Sequence, residues 1–306
     1  MARETSRGQW LSRRVRALRT FSFPVSVGPV LVATAAALPP ARWRWDVLAA
    51  SVLAAALLHG AGNLLNDYFD FRSGVDAREG DDGARPGRLL VRGTLKPRDV
   101  LMEAAACLAL TLPLAGYIGW RCGPAPLLFA AAGALALYAY TGPPLHLKYR
   151  ALGEPLIFLV FGPLLMLGSA WAQTDRWEWA VLRLSIPIGW ATTAILVGNN
   201  LRDVEEDSAA GIATLVSVIG LRAGRILYAG LVLAALLGVA ALGALGLAPM
   251  VLVLAPALVL LHLGPLCAVL RGDRTVDIDA KTARFEAVFL LFLFVALVAW
   301  GRSAPG

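Results

Sequence analysis

Asn63-Leu64-Leu65-Asn66-Asp67-Tyr68-Phe69-Asp70-Phe71-Arg72-Ser73-Gly74-Val75-Asp76 closes a long apolar run and finishes in a polar loop. Three carboxylates and two carboxamides fall within these positions, at the edge of a segment that reads as a membrane helix. Spaced at 3.6 residues per turn, His59, Asn63, Asn66 and Asp70 share one helix face. Polar side chains at that depth face a bundle interior or a watery cavity rather than lipid. A second cluster, Asn199-Asn200-Leu201-Arg202-Asp203-Val204-Glu205-Glu206-Asp207, ends another apolar run. Asp203 and Asp207 are one turn apart, and Asn199 precedes Asp203 by a turn. Two such clusters predict one shared site for a divalent cation and a polyanion.

Working outward, the chain of 306 residues is 58% hydrophobic and 16% charged. A soluble domain is usually about 45–50% apolar and ~25% charged. The departure is that of an all-α polytopic membrane protein, read as a single domain over 1–306. Nine spans are expected, near 20–38, 47–67, 101–119, 124–141, 154–172, 179–200, 224–246, 248–270 and 284–300. Each has the roughly 17–25 residues that cross ~30 Å of hydrocarbon. In lipid the backbone must satisfy its own polar groups, so such runs are helices. Pro24, Pro29, Pro155, Pro163, Pro187 and Pro265 are expected to start or kink them.

The cations test that count. With the N-terminus inside, 22 of the 28 Lys and Arg residues fall in alternate, inside segments. That asymmetry orients a multi-pass protein with a cytoplasmic N-terminus, in a cell (inner or plasma) membrane. Residues 1–19 read as a cytoplasmic basic anchor, and both acidic clusters then face the cytoplasm. Because the positive charge follows the loops, it signals orientation and no nucleic-acid partner. The three cysteines, Cys107, Cys122 and Cys267, make no CxxC pair and no disulfide framework. No phosphate loop of the G-x-x-x-x-G-K-[ST] type is present, so no nucleotide cofactor is expected.

Crowded carboxylates repel unless protons or cations compensate them. Mg2+ takes oxygen ligands, commonly a few carboxylates together with substrate phosphates. Arg72, Arg88, Lys148 and Arg202 are basic candidates for the remaining phosphate oxygens. A transporter would instead carry acidic residues near the middle of several spans; here they stand at span ends.

These residues closely resemble the UbiA superfamily of intramembrane prenyltransferases. Asn66-x3-Asp70 matches the first half of that family's first motif, and Asn200-Leu201-Arg202-Asp203-x3-Asp207 matches its second. The resemblance covers nearly the whole chain. It implies a helical bundle around a central cavity with cytoplasmic cap loops. It also implies Mg2+-dependent prenyl transfer from a polyprenyl diphosphate to an aromatic acceptor within the lipid bilayer. Asp70-x5-Asp76 looks like the 1,4-dihydroxy-2-naphthoate branch of menaquinone biosynthesis, in which isoprenoid chains join the ring. Three stretches agree: Tyr140-Thr141-Gly142-Pro143-Pro144 running on to Lys148 and Glu154, Gly168 to Thr174, and Gly211 to Leu215. Ile212 stands where many bacterial naphthoate enzymes have Lys, so another acceptor (4-hydroxybenzoate, chlorophyllide, haem or homogentisate) is the alternative.

The resemblance makes Asp70 and Asp203 the expected catalytic carboxylates. Asp67, Asp70, Asp76, Asp203 and Asp207 are the expected metal ligands. Asn63, Asn66, Arg72, Tyr140, Lys148, Asn199, Asn200 and Arg202 are the expected substrate contacts. Tyr68, Tyr138 and Tyr140 could offer π faces to an allylic cation. His59 is expected to make a structural hydrogen bond, and Glu103 and Glu154 to stabilise helix starts. Asp82-Gly83-Ala84-Arg85 is similar to the opening of a CDP-alcohol phosphotransferase motif but lacks its spacing and later aspartates.

Overall fold

The computed structural model describes residues 14–15, 17–74, 89–273 and 277–303. Asp76, Arg88 and Asp82 to Arg85 lie outside the described residues. Among the described residues, eight helices are long and apolar enough to cross a membrane, and a ninth, shorter apolar helix joins them. We label them α1 (Pro24–Ala37), α2 (Trp45–Arg72), α3 (Pro97–Cys122) and α4 (Ala125–Thr141), with α4 the short one. Next come α5 (Gly153–Thr174), α6 (Trp179–Ala209), the five-residue α7 (Leu215–Ile219) and α8 (Leu221–Ala244). A 3-10 run, Met250–His262, leads into α9 (Leu263–Arg271), and α10 (Ile278–Ser303) ends the described chain.

The spans stand where the hydropathy places them, with two instructive differences. Helix α2 continues to Arg72 and α6 to Ala209, well past the expected ends at 67 and 200. The second motif and the first as far as Arg72 therefore sit on helix, not loop. Hydropathy marks where the chain leaves lipid, whereas the backbone ladder can continue into polar surroundings. The eighth span is mainly 3-10 rather than α, with Pro256 inside the run. Proline removes a ladder donor and clashes with the preceding turn.

Pro29 and Pro187 lie inside the continuous helices α1 and α6. Pro24 and Pro97 open α1 and α3, where a missing N–H costs nothing. Pro163 lies in a π turn, Val160–Leu164, that interrupts α5. There α5 crosses α6 almost backbone to backbone. A Cβ on Gly162 would stand 2.7 Å from Ser185 O and 3.1 Å from Gly189 Cα. Only glycine permits that approach.

The main core joins α1, α5, α6, α8 and α10 through Val32, Met166, Ile188, Val232 and Phe289. A smaller cluster under the first motif joins α2 to α3 through Ala61, Leu64 and Ala104. Helix α6 is the central staff, with 61% of its apolar window buried, against 22% for α3. Outward-facing Leu110, Leu112 and Trp120 on α3 are 59%, 70% and 78% exposed, as befits a lipid-facing surface.

Candidate active site

Helix α2 delivers the first motif. Asp67 and Asp70 are buried, 4% and 5% exposed. Arg19, just before α1, donates a short hydrogen bond to Asp67. Lys148 Nζ donates to Asp70 Oδ2 at 2.7 Å and lies 3.4 Å from Asn66 Oδ1. Tyr149 donates its hydroxyl to the other oxygen of Asp70 at 2.5 Å. Asn66 Nδ2 donates to Asp70 Oδ2 at 3.0 Å.

The segment carrying Lys148 and Tyr149 is held in place. Ala151 N donates to Ala213 O and Ala213 N donates to Tyr149 O, clipping it to the chain that follows α6. His146 and Ala151, on either side, have φ of 45° and 56°. Left-handed backbone is unfavourable for residues with a Cβ, so the surrounding packing imposes this path.

Helix α6 delivers the second motif. Arg202 donates to both carboxylate oxygens of its neighbour Asp203, at 2.8 and 2.7 Å, and its Nη1 pairs with Asp279 of α10 at 2.7 Å. Asn199 Oδ1 accepts a further bond from Arg202. Asp207 is 8% exposed and lies within the fields of Lys148, Asp203 and Asp70. The two motifs thus converge at one end of the bundle.

The cations there are locked in their charged forms. Burial works against the ammonium of Lys148, but Asp70, Tyr140 and Tyr149 outweigh it and raise its pKa. Burial likewise works against Arg19, and Asp67, Asp70 and Asp279 outweigh it. Burial and the adjacent Asp70 carboxylate both push the Tyr149 hydroxyl above its ordinary value.

Below this mouth are two chambers. The upper, of about 210 Å³, is lined by Arg19, Asn63, Asn66, Tyr140, Lys148 and Asn199, with apolar residues beneath. The lower, of about 140 Å³, is lined almost wholly by apolar side chains of α2, α4 and α5. His59, Leu137, Val160 and Phe161 belong to both walls. The hydroxyls of Ser26, Thr111 and Ser169 in the lower wall are turned into backbone bonds at 3.1, 2.9 and 2.7 Å, which leaves that chamber greasy.

Several expected contacts lie elsewhere. Asn200 is 3% exposed and donates to Glu154 Oε1 at 2.8 Å, a bond between α6 and the start of α5 rather than a group facing the chamber. Glu154 is therefore a partner for Asn200 as well as a first-turn acid. Glu103 stands past the first turn of α3 and pairs with Arg14 at 3.3 Å, so its role is not the expected dipole stabilisation. Arg72 is exposed at the end of α2. Tyr68 and Tyr138 pack edge-on to Phe69 at 5.4 and 5.9 Å, whereas Tyr140 lines the upper chamber. Gln173 bonds the backbone of Arg44, far from either motif. His59 takes the structural role expected of it, 2.9 Å from Ser22 Oγ.

Sequence reasoning missed Arg19, Tyr149 and Asp279. Arg19 read only as an anchor charge, and Asp279 stands in neither motif. Tyr149 stood in a recognised stretch, but nothing in its spacing distinguishes an interface tyrosine from one that bonds a carboxylate.

The ends of α2 and α6 thus present buried carboxylates and cations above a partly apolar cavity, all on a membrane-spanning helical bundle. That combination is suited to a molecule with an anionic head and a greasy tail. Residues 26–294 match the UbiA prenyltransferase family, and the chain belongs to it. It is 37% identical over 221 residues to UbiA prenyltransferase domain-containing protein 1 of Danio rerio, covering 70% of this chain and 63% of the relative. It thus spans less than two thirds of that protein. A 1,4-dihydroxy-2-naphthoate octaprenyltransferase of Mycobacterium tuberculosis is 36% identical over 228 residues, covering 73% of this chain and 74% of the relative. A UbiA homolog from Archaeoglobus fulgidus bound to GPP and Mg2+ shares the fold, with a TM-score of 0.70 at 16% identity over 94% of this chain and 99% of that one.

Among the described residues, no group of three or more His, Cys, Asp or Glu side chains is arranged as a metal cluster. The donor chemistry nevertheless fits Mg2+. Asp67, Asp70, Asp203 and Asp207 are hard oxygen donors on converging helix ends, and three of them are held by Arg19, Lys148 and Arg202. These are the charges a cation would replace.

Proposed function

We propose that this protein transfers a prenyl group from a polyprenyl diphosphate to an aromatic acceptor, with 1,4-dihydroxy-2-naphthoate of menaquinone biosynthesis the acceptor of choice. The observation that carries this reading is a carboxylate-and-cation mouth above an upper chamber whose wall is shared with an apolar one. A diphosphate needs the first, and an isoprenoid tail needs the second.

Asp70 and Asp203, supported by Asp67, Asp76 and Asp207, would hold Mg2+, which supplies neutralising charge to the diphosphate when bound. Arg19, Lys148 and Arg202 stand where charge-assisted hydrogen bonds to diphosphate oxygens would form. Tyr140 and the apolar wall beneath it keep water from the allylic carbon as its C–O bond breaks. The electron-rich ring then forms the new C–C bond. On the naphthoate, the attacked carbon loses its carboxyl group as CO2 and a proton. The Mycobacterium tuberculosis relative is named for this acceptor, which supports the choice. The charge asymmetry supports an orientation with the motif end of the bundle on the cytoplasmic side of a cell membrane.

The test is prenyl transfer by purified protein in nanodiscs with Mg2+, labelled polyprenyl diphosphate and 1,4-dihydroxy-2-naphthoate. A parallel tube holds 4-hydroxybenzoate. Product from the naphthoate alone is expected. Product from 4-hydroxybenzoate alone would move the acceptor, and no Mg2+-dependent consumption of diphosphate would remove the reaction.

A further inference from the structure

A second polar tier lies about 10 Å below the mouth, seven residues down each helix. From Asn66 the step leads to His59, from Asn199 to Thr192, and from Asp279 to Glu286. His59 and Thr192 line the upper chamber, as do Asp279 and Ala283 on the same face of α10 as Glu286. Glu286 is fully buried behind that wall. Its Oε1 accepts a 2.5 Å hydrogen bond from Thr192 Oγ1, and its Oε2 has no hydrogen-bond partner among the described residues. His59 Nδ1 is also buried without one. Such groups are costly to retain in an apolar bundle, and none of the diphosphate chemistry uses them.

The direction of the Thr192 bond decides what the tier can recognise. A threonine hydroxyl has one proton. Ile188 O at 3.2 Å and Glu286 Oε1 at 2.5 Å are both placed to take that proton, so it points at the protein rather than at the chamber. The Thr192 oxygen therefore has only lone pairs to offer a ligand in the chamber. It selects a hydrogen-bond donor, such as the O–H of a phenol or hydroquinone, and discriminates against a carboxylate, a ketone or an ether at the same point.

We propose that Glu286, acting through Thr192, is a positioning residue that orients a ring hydroxyl of the acceptor. This rests on reading the chamber as a prenyl-transfer site. Glu286 holds the proton of Thr192 away from the chamber that this residue lines, and the acceptor hydroxyl donates to a lone pair of the same oxygen. The ring then lies under the diphosphate mouth, at the level where the polar and apolar walls meet.

The test compares Thr192→Val, Thr192→Ser and Glu286→Gln with the parent protein in nanodiscs, measuring KM for acceptor and donor separately. The acceptor is whichever of 1,4-dihydroxy-2-naphthoate and 4-hydroxybenzoate the parent turns over, together with its mono-O-methyl ethers. Thr192→Val is expected to raise acceptor KM about 10-fold, the scale of one lost buried hydrogen bond, while donor KM stays within about 2-fold. Thr192→Ser keeps the hydroxyl and should restore the parent value. Methylating the ring oxygen that meets Thr192 should weaken the parent about 10-fold and Thr192→Val hardly at all. Glu286→Gln keeps an oxygen that accepts the Thr192 proton and should stay near the parent value, whereas Glu286→Leu, added to the series, removes that acceptor and is expected to follow Thr192→Val. If Glu286→Leu fails to fold, the Thr192 series and the ethers still decide. An unchanged acceptor KM in Thr192→Val, or equal rises for donor and acceptor, would overturn the assignment while leaving prenyl transfer intact. A parent protein with no Mg2+-dependent turnover would instead sink the reaction itself.

Discussion

The two motif-bearing helix ends solve the same electrostatic problem differently. At the end of α2, the compensating charges come from distant chain: Arg19 for Asp67, and Lys148 with Tyr149 for Asp70. At the end of α6, Asp203 is held by its immediate neighbour Arg202, which α10 steadies through Asp279. The first end is thus built by tertiary structure and the second largely by its own helix. A carboxylate that organises distant segments should matter for folding as well as chemistry, whereas one served locally should matter for chemistry alone.

The sharpest way to break that distinction is a pair of isosteric changes. Asp70→Asn and Asp203→Asn should each lower Mg2+-dependent prenyl transfer by roughly 10²–10³-fold, the scale of losing one preorganised charge at a reacting centre. Only Asp70→Asn should also lower the melting temperature, because it leaves Lys148 buried opposite a neutral group. Equal melting temperatures for both variants would erase the difference between the two ends. One step smaller is Lys148→Met, for which donor KM should rise about 10–100-fold while acceptor KM is unchanged. A rise in acceptor KM alone would place the diphosphate elsewhere.

How much of this was legible in the sequence follows the same divide. The eight long apolar helices and the shorter one among the described residues were readable because lipid forces long apolar runs into helices. Asp70, Asp203 and Lys148 were readable because they sit in compact patterns. Arg19, Tyr149 and Asp279 were not, since their roles depend on which helix ends meet, and no local spacing encodes that. Asn200 misled for the opposite reason. It stands inside the motif, yet one residue along a helix turns a side chain by about 100°, away from the cavity and onto Glu154.

That Asn200–Glu154 bond gives a smaller, purely structural prediction. Asn200→Ala removes the side-chain partner of the buried Glu154 carboxyl, which keeps its backbone hydrogen bonds, at a cost of roughly 1 kcal/mol. The melting temperature should fall while both KM values hold. A selective loss of donor binding would return Asn200 to the substrate site.

The smallest expected effect concerns pH and tests whether the first end is as tightly built as its bonds imply. The pKa of Lys148 is raised in the folded protein, since its partners outweigh the cost of burial. A raised folded pKa means that the stability from this ammonium is fully present below its unfolded value, about 10.4. It is lost only as pH climbs through the higher folded value. The difference in melting temperature between the parent and Lys148→Met should therefore stay flat from pH 7 to pH 9 (approximate bounds set by that unfolded value). A difference that shrank across this interval would mean that Lys148 titrates early. Asp70 would then not be its firm partner, and the first motif would be held no more tightly than the second.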